Sequence, residues 1–243
     1  TFEGWFASEN NNNKVMFSFH TSTGANKFIL YRNMTYNTST NSYKGWSSFT
    51  PDNKWHHYAV VLEHGTKYTI YIDGELQSSF AATHTLASTD RFSLGQEWDG
   101  TSASDFMNGK VDEFRVWDDI RTQDEIKKNM YRTLAGNESN LVAYYKFDQA
   151  TETYLPDVSQ NNNQGNLIGF SLSGSTSNWL ESTAPVVGKA NALQLAGPGN
   201  CLDFDGTDDY VDISSLNTSL ASSDITFEAW INSTTARTKD AIF

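Results

Sequence analysis

Five aspartates crowd one short stretch of this chain: Asp203, Asp205, Asp208, Asp209 and Asp212. Like charges at that spacing repel one another unless a cation or hydrogen bonds offset them. Ca²⁺ is the fitting ion, because it gathers roughly six to eight oxygen ligands from carboxylates and carbonyls. The stretch is not an EF-hand loop, since it lacks the third acidic ligand before the glycine and the glutamate at the twelfth position. An Asp-Gly turn followed by solvated acids fits the same residues, so both readings stand. A second cluster, Gln96-Glu97-Trp98-Asp99, sets an indole among three hydrogen-bonding side chains. A sugar ring stacks on an exposed indole while such groups take its hydroxyls. The competing reading is an indole that covers a core. Tyr36, Tyr43, Trp46 and Trp179 fall in apparent loops and carry the same two readings, whereas Trp5, Trp55, Trp117 and Trp230 sit in strand-like sequence and read as core.

Other reactive residue types lack the spacing that their chemistry needs. His56 and His57 are adjacent, so on a strand they face opposite ways and cannot ligate one metal. His20, His64 and His84 show no ligand spacing, and Cys201 is a lone thiol with no catalytic partner in view. Glycoside hydrolysis needs two carboxylates flanking the scissile bond. Asp112-Glu113 and Asp118-Asp119 are adjacent pairs that diverge if extended, and Glu3 and Glu228 stand alone. No Ser-His-Asp order, phosphate-binding glycine loop or zinc motif appears, and the sequence reads as non-catalytic.

The elements that must position these groups read almost entirely as strand. His57 to Leu62, Tyr68 to Ile72 and Phe114 to Trp117 are rich in β-branched and aromatic residues bounded by turn formers. Asp73-Gly74 marks a two-residue hairpin turn, because both residues tolerate positive φ. Leu141 to Phe147 reads as a further strand, and Asn10 to Asn13, Gln160 to Gly165 and Ser171 to Ser177 read as loops. One helix stands out near 122–135. Thr122-x-x-Glu125 forms a capping box, Ile126, Met130 and Leu134 make one stripe, and Gly136 supplies the stop. It is expected to lie on a sheet edge.

The hexapeptide Thr1-Phe2-Glu3-Gly4-Trp5-Phe6 recurs as Thr226-Phe227-Glu228-Ala229-Trp230-Ile231, an offset of 226 − 1 = 225 residues. The chain reads as one period plus a short overlap, beginning and ending inside a repeat. Lys+Arg 17 against Asp+Glu 29 gives 17 − 29 = −12, which argues against a nucleic-acid partner. No apolar run approaches the roughly 18 residues that cross a bilayer.

Trp55-His56-His57-Tyr58-Ala59-Val60-Val61, Tyr71-Ile72-Asp73-Gly74, Leu94-Gly95 and Asn108 to Trp117 together resemble the second half of a laminin G-like, concanavalin A-like lectin/glucanase module. Leu141 to Asp148, Asp157 to Gly165 and Leu202 to Val211 resemble its first half, ending in the shared Thr-Phe-Glu-x-Trp strand. The resemblance implies an all-β, two-sheet antiparallel jelly-roll sandwich with one short helix. It implies that residues 1–134 are the C-terminal part of one module, 135–140 a junction, and 141–243 the N-terminal part of the next. Residues 200–243 would then supply the first strands missing from residues 1–134, either within this chain or in a neighbouring copy. It further implies a structural Ca²⁺ that brings Asp205, Asp208 or Asp209 near Asp112. The Glu-x-Asp-x-Glu pattern of the related glucanases is absent. Such modules occur in tandem in large secreted or surface proteins of Bacteroidota-like bacteria. The function expected is a non-catalytic recognition module of a multi-repeat adhesin, extracellular or at the cell surface, binding a polysaccharide, a cell-surface glycan or another surface partner beside neighbouring repeats. A structural spacer or filament repeat, or an accessory domain of a carbohydrate-active enzyme, are the other two readings.

Overall fold

The computed structural model describes residues 1–8, 14–37, 41–46, 49–50, 52–149, 152–187, 200–216 and 225–232. The expected loop at Asn10 to Asn13 lies outside them, as does the side chain of Trp230. In chain order the strands are β1 (Phe2–Ser8), β2 (Phe17–His20), β3 (Asn26–Tyr31), β4 (Met34–Asn37), β5 (Ser42–Gly45), β6 (His56–Glu63) and β7 (Lys67–Ile72). Next come β8 (Glu75–Ala81), β9 (Arg91–Leu94), β10 (Glu97–Asp99), β11 (Ser102–Ser104) and β12 (Asn108–Trp117), followed by helix α1 (Gln123–Asn129). The remainder are β13 (Leu141–Tyr145), β14 (Tyr154–Leu155), β15 (Gly165–Ile168), β16 (Asn178–Glu181), β17 (Asn200–Asp205), β18 (Tyr210–Asp212) and β19 (Ile225–Asn232).

Two large sheets face each other as a sandwich. One runs β16-β17-β12, then β1 and β19, then β6-β7-β8, with β13 also on β12. The other runs β14-β15-β18-β9-β2-β3-β4-β5, and β10-β11 is a separate hairpin. The alternation of side chains explains the core. Phe17 and Phe19 stand two apart on β2 and point inward, where they meet Phe92 of β9 and Phe28 of β3. Phe2, Phe6, Tyr58, Tyr68 and Phe114 close on them from the other sheet, with Phe28 and Tyr68 stacked at 4.4 Å between centroids. Burying each such ring stabilises the fold by about 1.5–3 kcal/mol. Asp73 and Gly74 make the β7-β8 turn at φ 50 and 74, and Ile72 pairs with Glu75.

Strands from both ends of the sequence build the same sheets. β17 pairs with β12 and β18 with β9, so residues 200–212 complete strands of the first half. Residues 135–140 turn through Gly136 and Asn140, both at positive φ, and deliver β13 onto β12. The polar stretch that follows is organised by one carboxylate: Asp157 accepts from the backbone N–H of Tyr144, Ser159 and Asn163 at 2.7 to 2.9 Å.

The helix departs from expectation in two ways. Its capping box forms at Thr122 and Glu125, but it ends at Asn129 rather than near Leu134. Side chains from the sheet take the carbonyls that a longer helix would use. Arg115 donates to the carbonyls of Asn129 and Arg132, and Trp5 Nε1 donates to Met130 at 2.7 Å. It also lies across the outer face of the sheet rather than at an edge, with Ile126 packed on Ala59, Val61 and Tyr71 of β6 and β7. Beneath the segment that follows, Arg115 also pairs with Glu113 at 2.9 Å, while Trp117 Nε1 donates to Glu3 at 2.8 Å. Glu113 reaches Arg115 because β12 carries one extra residue between the partners of Glu3 and Trp5, and that bulge sets Glu113 at φ 56.

Candidate functional site

A groove of about 640 Å³ opens where the turn before β3 meets the β10-β11 hairpin. Thr21, Thr23, Asn26, Tyr36, Asn41 and Trp98 line it, together with Gly24 and Gly100, where the two loops touch. A Cβ on Gly24 would sit 1.4 Å from the Gly100 carbonyl oxygen, and its φ of +84 is one that only glycine holds without strain.

The expected cluster runs from the interior outward. Gln96 and Glu97 are buried, Trp98 is half-buried and Asp99 is exposed. Gln96 donates to Ser93 at 2.6 Å, and its own carbonyl accepts from Ser18. The Glu97 carboxylate accepts from Asn26 Nδ2 and, at 2.7 Å, from Ser104. Burial pushes its pKa up despite those bonds. Asn26 also donates to the Trp98 carbonyl at 2.8 Å, so one amide locks the strand that carries the indole. The Trp98 ring packs 5.2 Å from His20, whose burial lowers its pKa to about 4 and keeps it neutral. Of the four residues expected to bind ligand, only Trp98 lines the groove, while Gln96 and Glu97 hold its frame from within.

The other aromatics divide along the same lines. Tyr36 lies on β4 and donates to Asn41 at 2.5 Å, and Tyr43 on β5 is 58% exposed. Trp46 and Trp179 are buried, and Trp179 belongs to β16 rather than a loop. Trp5 and Trp117 are buried as expected, whereas Trp55 is half-buried and donates to Thr183 at 2.9 Å. Thr21, Thr23, Asn26 and Asn41 carry no signal in the sequence, because only the pairings of β2 with β3 and β9, and of β4 with β3 and β5, bring them to Trp98.

Between β17 and β18, oxygens of Asp205, Asp208 and Asp209 lie within 4.8 Å of one another. Asp209 is fully buried, accepting from Asp205 N at 2.8 Å and Ser177 Oγ at 2.7 Å. Burial first, then the charges of Asp205 and Asp208, push it up to about 6 against those hydrogen bonds. Three carboxylates this close repel one another, a repulsion that a hard divalent cation held by their oxygens would offset. Asp112 does not join them. It lies four residues along β12 from Asn108, the partner of Asp205, which is about 13 Å of strand. Its carboxylate accepts from Ser182 Oγ at 2.5 Å. Asp203 and Asp212 also turn elsewhere, to Ser177 N and Ser214.

His56, His57 and Cys201 are held within the fold. His56 bridges Asp52 and Asp73 at 2.9 and 2.7 Å; burial alone would lower its pKa, but the two carboxylates win and raise it. His57 faces the other way and is buried, which lowers its pKa. Cys201 is buried.

A family model described as the concanavalin A-like lectin/glucanases superfamily matches residues 1–127. The chain belongs to this superfamily. The two large antiparallel sheets and single short helix described here are consistent with a concanavalin A-like sandwich. No curated protein sequence matches the chain. Among solved structures it is similar to one from Bacteroides ovatus ATCC 8483 whose name proposes carbohydrate binding, at 18% identity and a TM-score of 0.46. That match covers 66% of this chain and 48% of the other, so the described fold spans about half the length of that protein. Members named lectins and members named glucanases share the superfamily, so membership leaves binding and catalysis both open.

Proposed function

We propose that the chain is a non-catalytic recognition module that binds a carbohydrate in the Trp98 groove, with Ca²⁺ held by Asp205, Asp208 and Asp209. The observation that carries this reading is the placement of Trp98: a half-buried indole on a braced strand, facing a groove whose other walls offer hydroxyls, amides and the side chain of Lys27. Apolar surface beside a few convergent polar groups is what a sugar ring needs. Among the described residues lining the groove none is a carboxylate, so the acid and nucleophile of glycoside hydrolysis have no place there. Glu97 is close by, yet both its oxygens are engaged beneath the floor. The ion would be bound by the side chains of the acidic loop, with the exposed Asp208 as the point of entry. It would neutralise their mutual repulsion and stiffen the β17-β18 connection. We place the module outside the cell or on its surface, in a multi-repeat adhesin, where a polysaccharide or cell-surface glycan is the partner.

The test is binding of the full chain to a panel of polysaccharides by affinity electrophoresis, with Trp98→Ala as the comparison. Aromatic stacking contributes about 0.5–1.5 kcal/mol beyond the covered area, so Trp98→Ala should weaken retention about tenfold while the chain stays folded, its melting temperature lowered by only about 2–4 °C for the lost packing on His20. Equal retention by the two proteins would remove the groove from the reading. Failure of the wild type to bind any glycan would remove the function.

A further inference from the structure

We propose that the ligand of the Trp98 groove is an uncharged sugar chain gripped at two places, with Tyr43 of β5 as a second stacking platform beyond the groove; this rests on the reading of that groove as a carbohydrate site. Tyr43 carries the extension. It is 58% exposed, more than any other aromatic among the described residues. It stands directly opposite Tyr36 across the β4-β5 pair, with ring centroids 4.9 Å apart, and Tyr36 lines the groove. Tyr31 shares their face of the sheet, because it lies two residues along β3 from Ile29, the partner of Tyr36. Its ring is buried, sits 5.9 Å from that of Tyr43 and shares a side-chain hydrogen bond with it. The outer ring is thus braced from two sides while its surface stays open to solvent. A tyrosine that served the core would be covered, and one that served only solubility would need no brace.

The distance between the platforms sets the size of the ligand. The Trp98 indole packs on His20 of β2, and Tyr43 belongs to β5. The order β2-β3-β4-β5 places three inter-strand steps between them, about 14 Å across the sheet. One sugar ring cannot touch both platforms. A chain that crosses the strands reaches both, passing over Tyr36 and Asn41 on the way.

The walls set its charge. Lys27 is the one charged side chain among the described residues that line the groove, and its ammonium is committed. It pairs with Asp90 at 2.7 Å and donates to the Thr85 carbonyl at 2.9 Å. Asp90 is buried and also accepts from Ala87 N at 2.8 Å, which fixes the carboxylate in place. A uronate or sulfate ester on the ligand therefore finds its only nearby cation already neutralised. Asp99 stands exposed on the same hairpin as Trp98, and the whole chain carries a net charge of −12. Repulsion of an acidic polymer acts over about a Debye length, roughly 8 Å at physiological ionic strength. A ring that offers hydroxyls alone meets no such repulsion.

Calorimetric titration of the full chain tests both parts, using a neutral polysaccharide that it retains, oligomers of that polysaccharide in increasing length, and pectate and a sulfated galactan as acidic counterparts. Affinity should rise with oligomer length until the ligand reaches Tyr43, and then level off. Tyr43→Ala should weaken the long oligomers about fivefold and leave the shortest unchanged, whereas Trp98→Ala should weaken all of them. Tyr43→Phe, which keeps the ring, should retain the gain with length. Affinity independent of length, or long oligomers bound equally by Tyr43→Ala, would overturn the second platform and leave the groove standing. Pectate or the sulfated galactan bound as tightly as the neutral polymer would overturn the charge assignment. Long oligomers bound equally by Trp98→Ala would instead remove the groove itself, and the extension with it.

Discussion

The acidic loop makes a prediction whose sign is fixed by Asp209. Its folded-state pKa, about 6, stands above the 3.8 of an ordinary aspartate, so the native chain holds that proton more tightly than the unfolded chain. Stability from this group is therefore full below about pH 4 and is lost as the pH climbs through 6. The gap from 3.8 to about 6 corresponds to about 3 kcal/mol for a group cut off from water. Asp205 is half-buried and Asp208 exposed, so solvent screens the loop and about 1–2 kcal/mol survives. A bound Ca²⁺ reverses the preference by favouring the charged carboxylate. Melting temperatures in chelator and in Ca²⁺ should then coincide near pH 4 and separate by about 5 °C above pH 6, given roughly 2–4 °C per kcal/mol for a chain of this size. Asp209→Asn should abolish the separation. Asp112→Asn should retain it, because Asp112 belongs to a different part of β12. Differential scanning calorimetry at pH 4 and pH 7 reads all three. Identical melting in chelator and Ca²⁺ at pH 7, or a separation that persists in Asp209→Asn, would refute the reasoning.

Two other perturbations probe the frame around these sites. Gly24→Ala should push the turn at residues 21–25 away from Gly100, costing ~1–2 kcal/mol of stability through the positive φ and the clash, and should abolish glycan retention; amide chemical-shift changes confined to residues 21–27 and 97–104 would identify the cause. Arg115→Met should lower the melting temperature by about 10 °C, because losing one member of a buried ion pair costs about 3–5 kcal/mol. Adding Glu113→Gln should recover part of that loss, since the stranded charge is gone; a double variant as unstable as the single one would assign the effect to packing instead.

What was legible in the sequence, and what was not, divides along one physical line. Local rules read well: the capping box at Thr122, the Asp73-Gly74 turn, and the strand at His57 to Leu62 all follow from short-range geometry. Which face of a strand is covered does not, because side chains alternate and a shift of one residue exchanges the two faces. Gln96, Glu97, Trp98 and Asp99 are the instance that matters. Their types suggest four ligand contacts, yet the register of β10 against β11 sends Glu97 inward to Asn26 and Ser104 and leaves Trp98 at the groove. Asn26, which fixes that indole, sits 72 residues away and enters only through the pairing of β2 with β3 and β9. The helix stop at Asn129 is long-range in the same sense, since the guanidinium that claims its carbonyl comes from β12 and reaches it beside a glutamate swung round by a bulge. The groove in this fold is thus built from contacts that a sheet assembles across the chain, and the residues that line it are set by register before they are set by type.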